Sequence, residues 1–285
     1  MLKTYYQITK PGIIYGNAIT TAAGFFLASR GHINVWLGVA TLVGVSLVVA
    51  SACVFNNYID RHIDRLMSRT KKRALVEGSI SGPGAITYAI ILGLVGFLVL
   101  MKYTNLLTVI VGLVGLFFYV VMYSIWKRRS VHGTLVGSIA GAVPPVAGYC
   151  AVTNNLNSGA LILFLILVFW QMAHFYAIAI YRVDDYASAK VPVLSVKKGL
   201  AATRQQILFY VIAFMVSLSL LTVFGYSGYF YLGGSLALSL YWLFLCLGGF
   251  KKDVDLKLWA HKMFLASLMV ILGLSVLISI GGLAP

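Results

Sequence analysis

Acidic side chains are scarce in this sequence, with seven Asp and Glu against 22 Lys and Arg in 285 residues. Charge of either sign is scarce, at 10% of residues, where soluble proteins carry about 25%. A globule that presents its surface to water is therefore excluded. Only three cysteines are present, and Cys53, Cys150 and Cys246 stand singly in apolar runs without paired ligand spacing. They read as small core residues, which excludes a disulfide scaffold. A 60% hydrophobic composition excludes disorder, and the 28 glycines follow no triplet period, which excludes collagen. No repeat, low-complexity segment or long linker divides the chain, so residues 1–285 read as a single transmembrane domain.

What is there is a succession of uncharged runs, and the mean hydropathy is +0.92. A helix needs about 20 apolar residues to cross the hydrocarbon core, and a barrel strand only about 10 alternating ones. The run lengths predict an all-α polytopic membrane protein. Nine transmembrane helices over 12–29, 33–59, 81–101, 104–126, 131–152, 159–181, 206–224, 227–249 and 263–282 form one bundle around a central cavity opening to the cytoplasmic side. The run at 12–29 follows Lys3 and Lys10 as a secretory leader would, but it is long enough to span and shows no small-x-small cleavage site. Assigning loops alternately to the two sides puts 20 of the 22 Lys and Arg on one side, leaving Arg30 and Lys102 on the other. By the positive-inside rule the basic side is cytoplasmic, with the N-terminus there and the C-terminus periplasmic. That asymmetry also accounts for the net charge of +15 through topology and attraction to anionic membrane lipid, and no nucleic-acid partner is expected.

The acids are the informative minority, because each is costly near a bilayer and needs a partner or a task. Asp60 and Asp64 close the second predicted helix in the string Asn56-Asn57-Tyr58-Ile59-Asp60-Arg61-His62-Ile63-Asp64-Arg65. If the helix continues, Asn56, Asp60 and Asp64 fall at i, i+4 and i+8 on one face. Like charges one turn apart repel unless neutralised, and a hard cation such as Mg²⁺ does so while leaving positions for phosphate oxygens. Arg65, Arg69, Lys72 and Arg73 follow at once, so metal-binding oxygens sit beside groups that grip phosphate. The alternative is a solvated helix end whose Asp and Arg pair only with each other. A second cluster, Tyr181-Arg182-Val183-Asp184-Asp185-Tyr186 with Lys190 beyond it, ends the sixth helix on the same predicted side. Two acid-plus-base clusters facing one compartment suit a diphosphate bound through metal.

These strings resemble the intramembrane aromatic prenyltransferases. Asn56-x-x-x-Asp60-x-x-x-Asp64-Arg65 with Arg69-Thr70 is similar to the first motif of that superfamily. Similarity to its heme-modifying branch lies in Thr9-Lys10-Pro11, Ala140-Gly141-Ala142-Val143-Pro144-Pro145, Trp170-Gln171-Met172-Ala173-His174-Phe175, Tyr181-Arg182 with Asp185-Tyr186, and Val191-Pro192-Val193-Leu194. The resemblance runs from Lys10 to about Ser267. Asp185 lacks a second Asp four residues away, as in the heme branch and unlike the quinone type, and Ala173 stands where that branch has Pro.

The resemblance implies transfer of a farnesyl group from farnesyl diphosphate to a vinyl group of protoheme IX, with Mg²⁺ as cofactor and heme as substrate rather than cofactor. It implies metal ligation by Asn56, Asp60, Asp64 and Asp185, with Arg65 assisting catalysis. Substrate contacts are implied at Asn56, Arg69, Lys72, Arg73, Lys127, Arg128, His174, Tyr181, Arg182, Tyr186 and Lys190. It further implies a bacterial inner-membrane location and a heme-modifying or terminal-oxidase partner, while no oligomeric state follows from it. Two readings compete: a prenyltransferase for another aromatic acceptor such as a quinone precursor, and a transporter. Carriers place ionisable groups near the midplane, whereas nearly every charge here lies at or beyond a helix end. Lys127, Arg128 and Arg129 read either as orienting the fourth helix or as contacts for diphosphate or heme propionates. His174 reads either as a heme contact or as a buried histidine hydrogen-bonded to a neighbouring helix. His32, His132 and His261 are read as structural, and His62, about half a turn off the Asp face, reads as a solvated loop-side residue rather than an assistant to the motif. Pro144-Pro145 is expected to break or kink the fifth helix.

Overall fold

A computed structural model describes residues 2–283. Among them nine helices are long and apolar enough to cross a membrane. They are α1 (Pro11–Ser29), α2 (Val35–Asp64), α3 (Gly82–Tyr103), α4 (Leu106–Arg129), α5 (Gly133–Thr153), α6 (Ser158–Tyr181), α7 (Gly199–Val223), α8 (Tyr229–Gly248) and α9 (Leu256–Leu283). The chain is a multi-pass integral membrane protein. Short helices Leu2–Ile8, Ala74–Glu77, Val183–Ser188 and Leu194–Lys197 decorate one face.

Helix starts follow local chemistry. Asn34, Ser81, Asn105 and Asn157 cap α2, α3, α4 and α6 with side-chain oxygens that accept otherwise unpaired backbone N–H groups. Asp255 does the same for Lys257 and Leu258 at the start of α9. This explains why α9 begins at Leu256 rather than at the predicted 263. Similarly, α7 begins at Gly199, several residues before the predicted 206. Charged first turns remain helical in the headgroup layer, where apolar run length no longer reports them.

Packing brings α2 against α3, α1 against α5, and α6 against both α5 and α7, with α9 crossing α1, α6 and α8. Between membrane helices close approach rests on small residues. A Cβ on Gly24 would lie 2.0 Å from the Pro145 carbonyl oxygen, and one on Gly148 would lie 2.1 Å from that of Thr21. The α1–α5 contact thus brings backbone onto backbone. Pro144 and Pro145 are buried at this contact, and α5 continues through both without the expected break. With Ala173 in place of Pro, α6 is likewise uninterrupted. The Ser51 hydroxyl donates to the Ala89 carbonyl at 2.7 Å and ties α2 to α3. Outward-facing Leu98, Phe230 and Phe244 are exposed, as suits a surface solvated by lipid.

Candidate active site

Helix α2 runs unbroken to Asp64, five residues past the predicted end, and all three of Asn56, Asp60 and Asp64 are buried along it. Asn56, Asp60 and Asp64 each meet a cationic side chain. Lys10 Nζ donates to Asn56 Oδ1 at 2.7 Å, and Asn56 Nδ2 donates to Asp60 Oδ2 at 2.9 Å. Lys127 Nζ donates to the same Asp60 oxygen, and an Arg128 amine stands 3.6 Å from Asp60 Oδ1 while donating to the Ile59 carbonyl at 2.7 Å. Asp64 Oδ2 accepts from Arg73 Nη1 at 2.6 Å, and the Thr70 hydroxyl donates to the Asp64 carbonyl at 2.9 Å. The repulsion between carboxylates one turn apart is thus relieved by separate cations.

Lys10 is a component that the sequence reading left without a role. It adopts φ 56°, a left-handed conformation unfavourable for a side-chain-bearing residue by about 1–2 kcal/mol. Burial pushes its ammonium down to about 8. A lysine immediately before an N-terminal proline places positive charge at the positive end of the α1 dipole. That local misfit is the signal that would have marked it. In α4 a π-helical turn spans Phe118–Tyr123, a feature often found at functional sites. Its Tyr119 and Tyr123 rings stack at 5.7 Å, Lys127 lies over Tyr123 at 5.2 Å, and both phenols are within electrostatic range of Asp60.

The second acidic cluster joins the first across the loop that follows α2. Asp185 Oδ1 accepts the Ser68 amide at 3.0 Å and the Ser68 hydroxyl at 2.6 Å. The Ser188 hydroxyl donates to the Leu66 carbonyl at 3.1 Å, and Met67 packs with Ala189 and Val191. The Ser68 hydroxyl, seconded by its amide and by Arg182 and Arg69, holds the Asp185 carboxyl below the usual range despite some opposing desolvation. Burial pushes the Tyr186 phenol up, with Tyr123 and Asp185 adding to the effect and Arg69 and Lys127 opposing it. Both clusters therefore occupy one membrane face and share neighbours.

Other predicted residues fall elsewhere. Arg65, Arg69, Lys72 and Lys190 are exposed on this face. Lys72 and Arg73 border a cavity of about 210 Å³ together with Lys10 and Asn57. Asp184 pairs with Lys257 at 2.5 Å, outside the cluster. Tyr181 stacks on His261 at 4.5 Å with Arg182 over its ring at 4.4 Å. His174 Nδ1 lies 2.6 Å from the Ser267 hydroxyl and its ring stacks on Trp170 at 4.9 Å. His174 and Tyr181 thus belong to the α6–α9 seam, while Arg182 lies between that seam and Asp185.

Among the described residues no three His, Cys, Asp or Glu side chains converge on a metal position. The donors nevertheless fit a hard cation that takes part of its shell from phosphate and water, since Mg²⁺ is commonly held by one or two carboxylates and substrate oxygens. Asp60 Oδ1 is buried and lacks a hydrogen-bond partner, an acceptor left open beside the Asn56 amide.

A model of the UbiA prenyltransferase family matches residues 17–268. The protoheme IX farnesyltransferase of Sodalis glossinidius is 51% identical over 286 residues, covering 100% of this chain and 96% of that protein. Among solved structures, a digeranylgeranylglyceryl phosphate synthase superposes with a TM-score of 0.81 at 19% identity, covering 100% of this chain and 99% of its own. A UbiA homolog from Archaeoglobus fulgidus bound to GPP and Mg²⁺ gives 0.72 at 16% identity, covering 97% of this chain and 99% of its own.

Proposed function

The chain belongs to the UbiA prenyltransferase family, and from that premise we propose that it transfers a farnesyl group from farnesyl diphosphate to a vinyl group of protoheme IX. The observation that carries the diphosphate half is the row Asn56, Asp60 and Asp64, each contacted by a separate cationic side chain, with Asp185 tied to the loop after Asp64. The acceptor half is supported by the full-length identity to a protoheme IX farnesyltransferase.

Asn56, Asp60, Asp64 and Asp185 would hold Mg²⁺, which supplies charge neutralisation at the leaving diphosphate. When the diphosphate enters, Lys10 turns from the Asn56 amide, and Lys127 and Arg73 from the carboxylates, to its oxygens. Arg128, Arg65, Arg69, Lys72 and Lys190 gather its remaining charge. The C1–O bond of the allylic diphosphate then ionises, and the electron pair leaves with the stabilised diphosphate. The faces of Tyr119 and Tyr123 stabilise the allylic cation through their negative π surfaces and exclude water from it. The vinyl π pair forms the new carbon–carbon bond. Water adds to the centre left beside the ring and loses a proton, giving a hydroxyethylfarnesyl substituent. Tyr186, His174, Tyr181 and Arg182 are assigned to acceptor contact.

The basic face is assigned to the cytoplasm of a bacterial inner membrane, which leaves the C-terminus periplasmic. The test is incubation of the purified full-length protein with farnesyl diphosphate, Mg²⁺ and either protoheme IX or 4-hydroxybenzoate. The expected result is a heme gaining the mass of a farnesyl and a hydroxyl group. Prenylation of the benzoate alone would overturn the acceptor assignment.

A further inference from the structure

A second cavity, of about 290 Å³, opens on the same membrane face between the start of α5, the end of α6 and the first turns of α7. That volume lies near the lower end of small-molecule sites, roughly 300–1,000 Å³. Lys198 and His132 line it with Gln205, Gln206, Tyr176 and Tyr210, and no carboxylate is among its lining residues. It therefore lacks the oxygens that a metal-bound diphosphate requires, and it is separate in composition from the Asp60 site. Tyr176 is only 6% exposed overall, and it is one of the residues that line the cavity.

The outer edge of this cavity continues into an apolar track. Gln205, Phe209, Ile212 and Val216 follow one another at helical spacing on α7 and share one face. The last three are exposed, at 59%, 47% and 60%. A polar, cationic hollow at the headgroup level thus opens directly onto a stripe that faces the acyl region. Basic pockets between membrane helices are suited to anionic headgroups.

We propose that this cavity binds one anionic phospholipid, its phosphodiester held by Lys198 and His132 and its acyl chain laid along Phe209, Ile212 and Val216. The Tyr176 hydroxyl donates to a phosphate oxygen, and Gln205 and Gln206 hold the rest of the headgroup. One ammonium matches the single negative charge of a phosphodiester, and the His132 ring adds a hydrogen-bond donor. The proposal does not depend on which acceptor the enzyme prenylates.

Native mass spectrometry on the full-length protein, delipidated in detergent and titrated with phosphatidylglycerol or phosphatidylcholine, tests it. One phosphatidylglycerol is expected to be retained in preference to phosphatidylcholine. The Lys198→Gln/His132→Gln double variant should weaken that retention about five-fold. Tyr176→Phe, which preserves shape, should weaken it about ten-fold and keeps the test open should the double variant not fold. Equal retention of the two lipids, or unchanged phosphatidylglycerol binding in Tyr176→Phe, would overturn the proposal. So would displacement of the lipid by inorganic phosphate at equal concentration, which would assign the site to free phosphate.

Discussion

Asp185 accepts two hydrogen bonds from Ser68, one from the amide at 3.0 Å and one from the hydroxyl at 2.6 Å, across a separation of 117 residues. The contact closes the face of the bundle over the end of α2 and sets the distance between the two acidic clusters. It also fixes the sign of a pH effect. A carboxyl whose folded value is depressed contributes stability above its ordinary value near 3.9 and loses it as pH falls through the folded value. Ser68→Ala removes the first cause of that depression. The variant is expected to be less stable above about pH 4 and to lose less stability on acidification, a flatter acid limb, and turnover should fall about ten-fold through loss of one charge-assisted hydrogen bond. Thermal unfolding from pH 3 to 7, with kcat measured beside it, checks both. An unchanged acid limb would remove the assignment.

Asp60→Asn and Asp64→Asn should each lower turnover by about a hundred- to thousand-fold, the cost of removing one preorganised electrostatic group. Both proteins are expected to remain monodisperse and fully helical, because Lys127 and Arg73 sit at the end of the bundle and can turn to water. Circular dichroism and size-exclusion profiles separate this outcome from misfolding. Full activity in both single variants would sink the metal assignment.

Lys10 offers a different sign. A buried ammonium lowered to about 8 is less protonated in the folded chain than in the unfolded one between pH 8 and its ordinary value near 10.4. Its destabilising contribution is full below pH 8 and disappears as pH rises through that window. Lys10→Met should flatten this rise in the unfolding temperature of the ligand-free protein. In the presence of Mg²⁺ it should raise KM for farnesyl diphosphate about ten-fold, because a cation facing the anion is lost. Farnesyl diphosphate titrations of the two proteins check the second expectation.

The bundle and the carboxylate row are legible in the sequence because both obey a period. Apolar runs of spanning length report the hydrocarbon thickness, and Asn56, Asp60 and Asp64 recur every four residues, which α2 converts into one face. What obeys no period is hidden. Ser68 is an ordinary loop serine until the fold brings Asp185 to it. The π-helical turn that carries Tyr119 and Tyr123 follows no 3.6-residue rule. The early starts of α7 and α9 lie in charged turns outside the hydrocarbon, where run length is silent. His174 is visible as a polar residue in an apolar helix, but only packing reveals that it faces Ser267 of α9.

Gly24→Ala tests how tightly α1 and α5 are held. The added methyl group would lie 2.0 Å from the Pro145 carbonyl oxygen, a backbone atom that cannot rotate away. Separation of the helices is the available relief, at a cost of about 1–3 kcal/mol for overpacking. A lower unfolding temperature is expected, with KM for both substrates little changed if the strain stays at this contact. An unfolding temperature equal to the parent protein's would show that the two helices part without penalty.

His174→Ala separates acceptor binding from packing in the α6–α9 seam. The Ser267 hydroxyl donates to the Phe264 carbonyl at 2.5 Å, so its remaining role toward His174 Nδ1 is as acceptor. That arrangement puts the histidine proton on Nδ1 and leaves Nε2 with a free lone pair, the form in which imidazole meets a metal or a proton donor. If the histidine contacts the acceptor, KM for protoheme IX should rise about ten-fold while KM for farnesyl diphosphate stays constant. Loss of a purely structural hydrogen bond would lower the unfolding temperature and leave both constants alone. Ser267→Ala supplies the control, since it frees the tautomer without removing the ring. It is expected to give a smaller rise in the same protoheme constant, and a rise in the farnesyl diphosphate constant instead would move His174 out of the acceptor's contacts.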